Sequence, residues 1–207
     1  MTGPKKRRPR PKPRTTIGGV DTPDYATWGR EVAARFGMDE PLPPSGGACF
    51  RVLFQPSFHP ECMITVVEDA EGAEVSLATY GTNLWYWECH RLQTDSGKRS
   101  ASDPSPAPPL RREESGRADA DAAARFRAER PAAFPPPTST FLGADGMRMS
   151  CAYRLDDGTT GRAETWQDHD PAAYRLAAAV LRLAMRTLRQ PESTEVLAAI
   201  AEYLTED

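Results

Sequence analysis

The chain has 207 residues, a formal net charge of −3, 39% hydrophobic residues and 20 prolines. That length predicts one folded domain, and the charge is unevenly placed: Lys5, Lys6, Arg7, Arg8, Arg10, Lys12 and Arg14 carry +7, so the rest carries −10. A strongly acidic body excludes broad attraction to polyanions, and only the basic arm is suited to phosphates. Arginine outnumbers lysine 22 to 4, a usage that points to a high-GC, bacterial genome. Four widely spaced cysteines do not make a secreted disulfide scaffold. No apolar h-region follows the N-terminal charges, and the run from Leu176 to Met185 is broken by Arg182. A cytoplasmic location with no membrane partner is the expectation.

Residues 1–16 alternate proline with basic residues and read as a disordered or polyproline-like arm, and residues 17–207 as a single domain. Seven cations on such an arm suit non-specific nucleic acid, although a solubilising tail is the ordinary meaning of the pattern. Trp28, Val32 and Phe36 recur every four residues and predict a short helix over 24–37, which Gly37 ends. Residues 48–55 alternate Phe50, Val52 and Phe54 against Cys49, Arg51 and Leu53, the pattern of a strand. Pro56 and Pro60 bracket a break at Phe58-His59. Strands over 62–68 and 74–79 extend a meander. The aromatic run 84–92 is expected to add a fourth strand.

The Ser/Pro/Arg/Asp-rich stretch at about 94–117 reads as a disordered insertion. An alanine-rich helix over 118–129 ends at Pro131. Residues 147–155 alternate cleanly, Asp157-Gly158 is a hairpin signal, and the return strand runs from about Thr160 to Gln167. Asp170-Pro171 starts a helix to about Arg189 with Ala173, Leu176, Ala177, Val180, Ala184 and Leu188 as its apolar stripe. Pro191 opens a last helix that buries Val196, Leu197, Ile200, Tyr203 and Leu204. Strands followed by two amphipathic helices predict an α+β fold: an antiparallel sheet of about five to six strands with two C-terminal helices on one face.

Candidate chemistry is sparse. His59, Cys62, Cys89 and His90 are zinc-type ligands, but the usual paired spacing is missing, and buried free cysteine is a common core residue. Cys62 or Cys89 as a nucleophile needs a base and an orienting group, and three histidines leave few choices. The segment Trp166-Gln167-Asp168-His169-Asp170 places carboxylates about an imidazole, yet helix capping explains Asp170. Arg175, Arg182, Arg186 and Arg189 line the polar side of the long helix, which suits a solvated face or a surface for an acidic partner or for phosphates. No phosphate-cradling loop, dinucleotide fingerprint or calcium loop occurs, so no cofactor is expected.

Tyr80, Trp85, Tyr86 and Trp87 form the strongest candidate contact surface, because consecutive aromatics on a strand cannot all face one core. The leading expectation is a non-catalytic protein-interaction module of accessory or immunity type. Nucleic-acid association through the arm and an unrecognised enzyme are the alternatives. Phe50-Arg51-x-Leu53, Phe58-His59-Pro60, Gly143-x-Asp145-Gly146, Asp157-Gly158, Trp166 and Leu181–Ala184 together resemble a loose group of bacterial α+β proteins with no assigned activity. The resemblance spans about residues 48–204 and implies the fold alone.

Overall fold

The computed structural model describes residues 14–17, 20–23, 25–44, 46–95, 107–134, 146–166 and 170–204. In chain order its elements are β1 (Arg14–Ile17), β2 (Val20–Pro23), α1 (Tyr25–Phe36), β3 (Cys49–Pro56), β4 (Cys62–Glu68), β5 (Ala73–Thr79) and α2 (Leu84–Asp95). They continue as β6 (Arg112–Ala118), α3 (Ala120–Glu129), β7 (Met147–Arg154), β8 (Thr160–Trp166), α4 (Pro171–Thr187) and α5 (Pro191–Glu202).

Six strands form one antiparallel sheet in the order β6-β5-β4-β3-β7-β8. The expected α+β class, strand number and helix placement are all present. β3 through β5 are a meander. The β7–β8 hairpin joins the free side of β3, pairing Val52 with Cys151 and Phe54 with Met149. Its turn works because Gly158 adopts φ 82°, a conformation that glycine enters without a Cβ clash.

The sheet is covered on both faces, which explains why β3 and β4 are buried along nearly their whole length. On one face Phe50, Val52, Ile64, Val66 and Leu77 meet α3, α4 and α5. Phe126 of α3 sets its ring edge-on to Phe50, with centroids 5.6 Å apart. Helix α4 begins where Asp170 accepts hydrogen bonds from the N–H groups of Ala172 and Ala173, and Pro171 supplies a preset helical φ. Leu176, Val180, Leu181 and Leu183 are buried along it, each contributing about 1.5–3 kcal/mol. Its many buried alanines (Ala173, Ala177, Ala184) let the helix lie close to the strands. On the opposite face Trp28, Val32, Phe36 and Met38 pack on Leu53, Met63 and Ala78, joined by Leu84.

Three segments differ from the sequence expectation. Residues 84–92 are not a strand but the start of α2. Asn83 accepts from the Tyr86 N–H at 3.1 Å and Glu61 from the Leu84 N–H at 2.8 Å. These two caps outweigh the β preference of Trp85, Tyr86 and Trp87. Within the expected insertion at 94–117, Thr94 and Asp95 end α2 and residues 112–117 belong to edge strand β6, while residues 96–106 lie outside the described residues. Every side chain of β6 before Ala118 is polar or glycine, so no hydrophobic alternation marks it. It is held by its ladder to β5, by Arg117 on Asp69 at 2.8 Å, and by Glu114 accepting from the Arg189 N–H. Charged side chains on an edge strand also discourage sheet-to-sheet pairing. Residues 14–16, expected in the arm, are paired in β1 with β2, which runs beside α2.

Candidate functional site

Asn83 connects two segments that are remote in sequence. Its side-chain N–H2 group donates to the carbonyl of His59 at 2.7 Å and to that of Pro56 at 3.4 Å, while its oxygen caps α2. The 57–60 turn is thereby fixed against the first turn of α2. The Tyr203 hydroxyl, from the end of α5, meets His59 Nδ1 at 3.0 Å, and the two rings lie edge to face. Burial raises the pKa of the Tyr203 phenol, and the Phe58 backbone amide opposes that rise. On this support Phe58 is 60% exposed and Tyr86 51% exposed.

The four predicted aromatics have different roles. Tyr86 presents its ring to solvent. Tyr80 donates to the Arg35 carbonyl at 3.2 Å and sets its ring against Phe36. Trp85 meets Trp28 edge-on at 5.9 Å. Trp87 donates to the Ala107 carbonyl at 2.9 Å. The Arg35 guanidinium lies 5.6 Å from the centroids of both Trp28 and Trp87, a cation–π arrangement that ties α1 to α2. Tyr80, Trp85 and Trp87 are thus engaged within the molecule. Phe58 carries no contact-surface signal in the sequence, because it falls between two prolines with no periodicity around it.

Beneath this surface Glu61 is buried, 3% exposed. Burial lifts its carboxyl to about pKa 7, against the opposing pull of the Leu84 and Trp85 amides and of Arg35. Thr79 donates to the Glu61 carbonyl oxygen at 3.0 Å and completes the junction.

The candidate metal ligands do not converge. Cys62 lies in the core under α4, Cys89 is on α2, and His59 is engaged by Tyr203. Among the described residues no group of three or more His, Cys, Asp or Glu side chains is placed to hold an ion. All four cysteines are free and buried. Burial pushes their thiols upward, to about 11 for Cys89 and about 12 for Cys151, with Cys49 and Cys62 also raised. Asp168 and His169 lie outside the described residues, and Asp170 is the cap of α4. Arg175, Arg182, Arg186 and Arg189 are exposed, and Arg182 pairs with Glu129 at 2.9 Å. Lys5, Lys6, Arg7, Arg8, Arg10 and Lys12 lie outside the described residues, while Arg14 opens β1. No helix among the described residues is long and apolar enough to cross a membrane.

A concave feature lies on the α1 face of the sheet. Phe36, Arg51, Thr65, Ser76 and Ser115 line part of a cavity of about 300 Å³, with Glu40, Arg111 and Glu113 also at its wall. Sequence periodicity marks Arg51 as opposite to Phe50, but only the strand register reveals the polar row in which it stands. Compared with protein-family models, with curated proteins and with solved structures, the chain finds no significant match in any of the three.

Proposed function

We propose that the protein is a non-catalytic interaction module, an accessory protein that binds another protein through Phe58 and Tyr86. The observation that carries the reading is that two exposed rings stand on segments tied together by hydrogen bonds, at the Asn83–His59–Tyr203 junction. Segments tied together before binding cost less to order on association, and aromatic residues are the usual anchors of protein interfaces. The body carries −10 outside the basic arm. A partner with a basic rim around an apolar centre is therefore favoured in approach and in register.

The experiment is affinity capture on the full chain with and without the double substitution Phe58→Ala and Tyr86→Ala. Both side chains are exposed, so the variant is expected to fold, which circular dichroism checks. A protein retained by the wild type and released by the variant supports the reading. Unchanged capture of every bound protein, or no specific capture at all, refutes it.

A further inference from the structure

Strand register sets Ser115 beside Ser76, Ser76 beside Thr65, and Thr65 beside Arg51. The four side chains form one row across β6, β5, β4 and β3, on the face that also carries Leu53, Met63 and Ala78. Helix α1 covers the apolar row and leaves the polar one next to the cavity. Exposure falls along the row. Ser115 is exposed, Ser76 is half-buried, Thr65 is 8% exposed and Arg51 6%. The hydroxyls of Thr65, Ser76 and Ser115 make no hydrogen bond to another described residue.

Arg51 is the unusual member. Its guanidinium donates to the carbonyls of Gly37, Glu40 and Pro41. Nε is buried and has no hydrogen-bond partner. Among the described residues no carboxylate forms an ion pair with it. Carbonyl dipoles solvate a cation but do not neutralise it, and a buried charge without a counter-charge is costly. Arg51 lines the wall of the cavity, which is thus bordered by a cation held only by backbone carbonyls. The exposed carboxylates of Glu40 and Glu113 also stand at the wall, with Glu114, and Glu113 is paired with Arg111 at 2.8 Å.

We propose that this groove binds a small zwitterion of the amino-acid class. Its carboxylate lies toward Arg51 and the Thr65 hydroxyl, and its ammonium toward Glu40 and Glu113. One uncompensated cation matches one carboxylate, and the acidic wall disfavours a dianion such as a phosphate ester. A volume of about 300 Å³ is at the low end for ligand pockets and suits a metabolite of this size rather than a nucleotide. Aligned hydroxyls provide both donors and acceptors for the ligand's polar groups.

The test is calorimetric titration of the full chain with each standard L-amino acid, with the methyl ester and N-acetyl form of any that binds, and with inorganic phosphate. Arg51 also holds the 37–41 turn, so the variants are Thr65→Val, which keeps shape in a strand, and Ser76→Leu, which fills the groove. Melting curves establish that both are folded. The expected result is saturable binding of at least one amino acid, weakened by about tenfold or more in each variant and by blocking either end of the ligand. The Phe58→Ala, Tyr86→Ala protein binds the amino acid as the wild type does, which separates this site from the protein-docking surface. No saturation by any amino acid at about 10 mM, binding indifferent to both substitutions, or phosphate bound in preference to every amino acid would overturn the proposal.

Discussion

The side chain of Asn83 reaches across 24 residues of sequence to the carbonyl of His59, 2.7 Å away. The same amide caps α2 through the Tyr86 N–H, so one residue sets the spacing between the Phe58 turn and Tyr86. Asn83→Ala removes a cap, worth about 1 kcal/mol, and a buried hydrogen bond of similar size. Urea unfolding is expected to show a loss of about 2 kcal/mol. Asn83→Asp keeps the cap but turns a buried carboxylate oxygen toward the His59 and Pro56 carbonyls, and is expected to be no more stable than Asn83→Ala. If Phe58 and Tyr86 dock a partner together, Asn83→Ala also weakens capture although both rings are retained. A variant that unfolds like the wild type would show the junction to be dispensable.

Glu61 makes stability depend on pH. Its ordinary pKa of 4.5 rises to about 7 in the fold, because burial penalises the anion. A carboxyl raised in the native state favours folding while protonated. Its contribution is complete below the ordinary value and is lost as pH climbs through about 7. The difference amounts to about 3 kcal/mol across that window. Glu61→Gln keeps an acceptor for the Leu84 N–H and has no charge to bury. Urea midpoints at about pH 5 and about pH 8 are expected to separate for the wild type and to converge for the variant, which is the more stable of the two at the higher pH. Equal pH slopes would show that Glu61 is solvated in solution.

What was legible in the chain followed from local pattern. Phe50, Val52 and Phe54 alternate, and the strand is there; Asp170-Pro171 signals a helix start, and α4 begins there. The Asp157-Gly158 turn likewise lies where the dipeptide places it. What was hidden depends on partners distant in sequence. Helix α2 is capped in part by Glu61, 23 residues away. Strand β6 has no apolar face because it is an edge, and only β5 makes it a strand. Tyr86 was visible as an aromatic in a run of aromatics, but Phe58 becomes a candidate only when Asn83 sets it beside α2. The row from Ser115 to Arg51 exists only through register across four strands, which no single-strand pattern records.

Glu68 and Arg130 form a buried ion pair where β4 ends near α3. Their side chains are 4% and 9% exposed and 3.1 Å apart. Arg127 joins at 3.2 Å, and Asp156 meets Arg130 at 2.6 Å. Arg130 also lies over the Phe50 ring at 5.1 Å, which anchors the charge cluster to the core. Burial raises the Glu68 pKa despite the two arginines. Arg130→Met alone leaves a buried carboxylate with only a half-exposed partner and is expected to cost about 3 kcal/mol. Adding Glu68→Gln removes the stranded charge and is expected to recover at least half of that loss. A denaturant-based double-mutant cycle measures both. Additive losses would mean that the two side chains act independently.

The four cysteines are expected to be inert while the protein is folded. Each is buried, none is paired, and every thiol is pushed above its ordinary value by desolvation. The thiolate is the reactive form. With Cys89 near pKa 11, only about one thiol in a thousand is ionised at a mildly alkaline pH. Access compounds the effect, since a reagent must wait for the native state to open. Cys89, 8% exposed on α2, is nearest the surface and is expected to react first, through local fraying of its helix rather than global unfolding. A chromogenic disulfide reagent should titrate all four in denaturant and none rapidly in buffer. A native cysteine that reacts faster than free cysteine would instead identify an activated thiol, and a nucleophilic chemistry would then have to be sought around it.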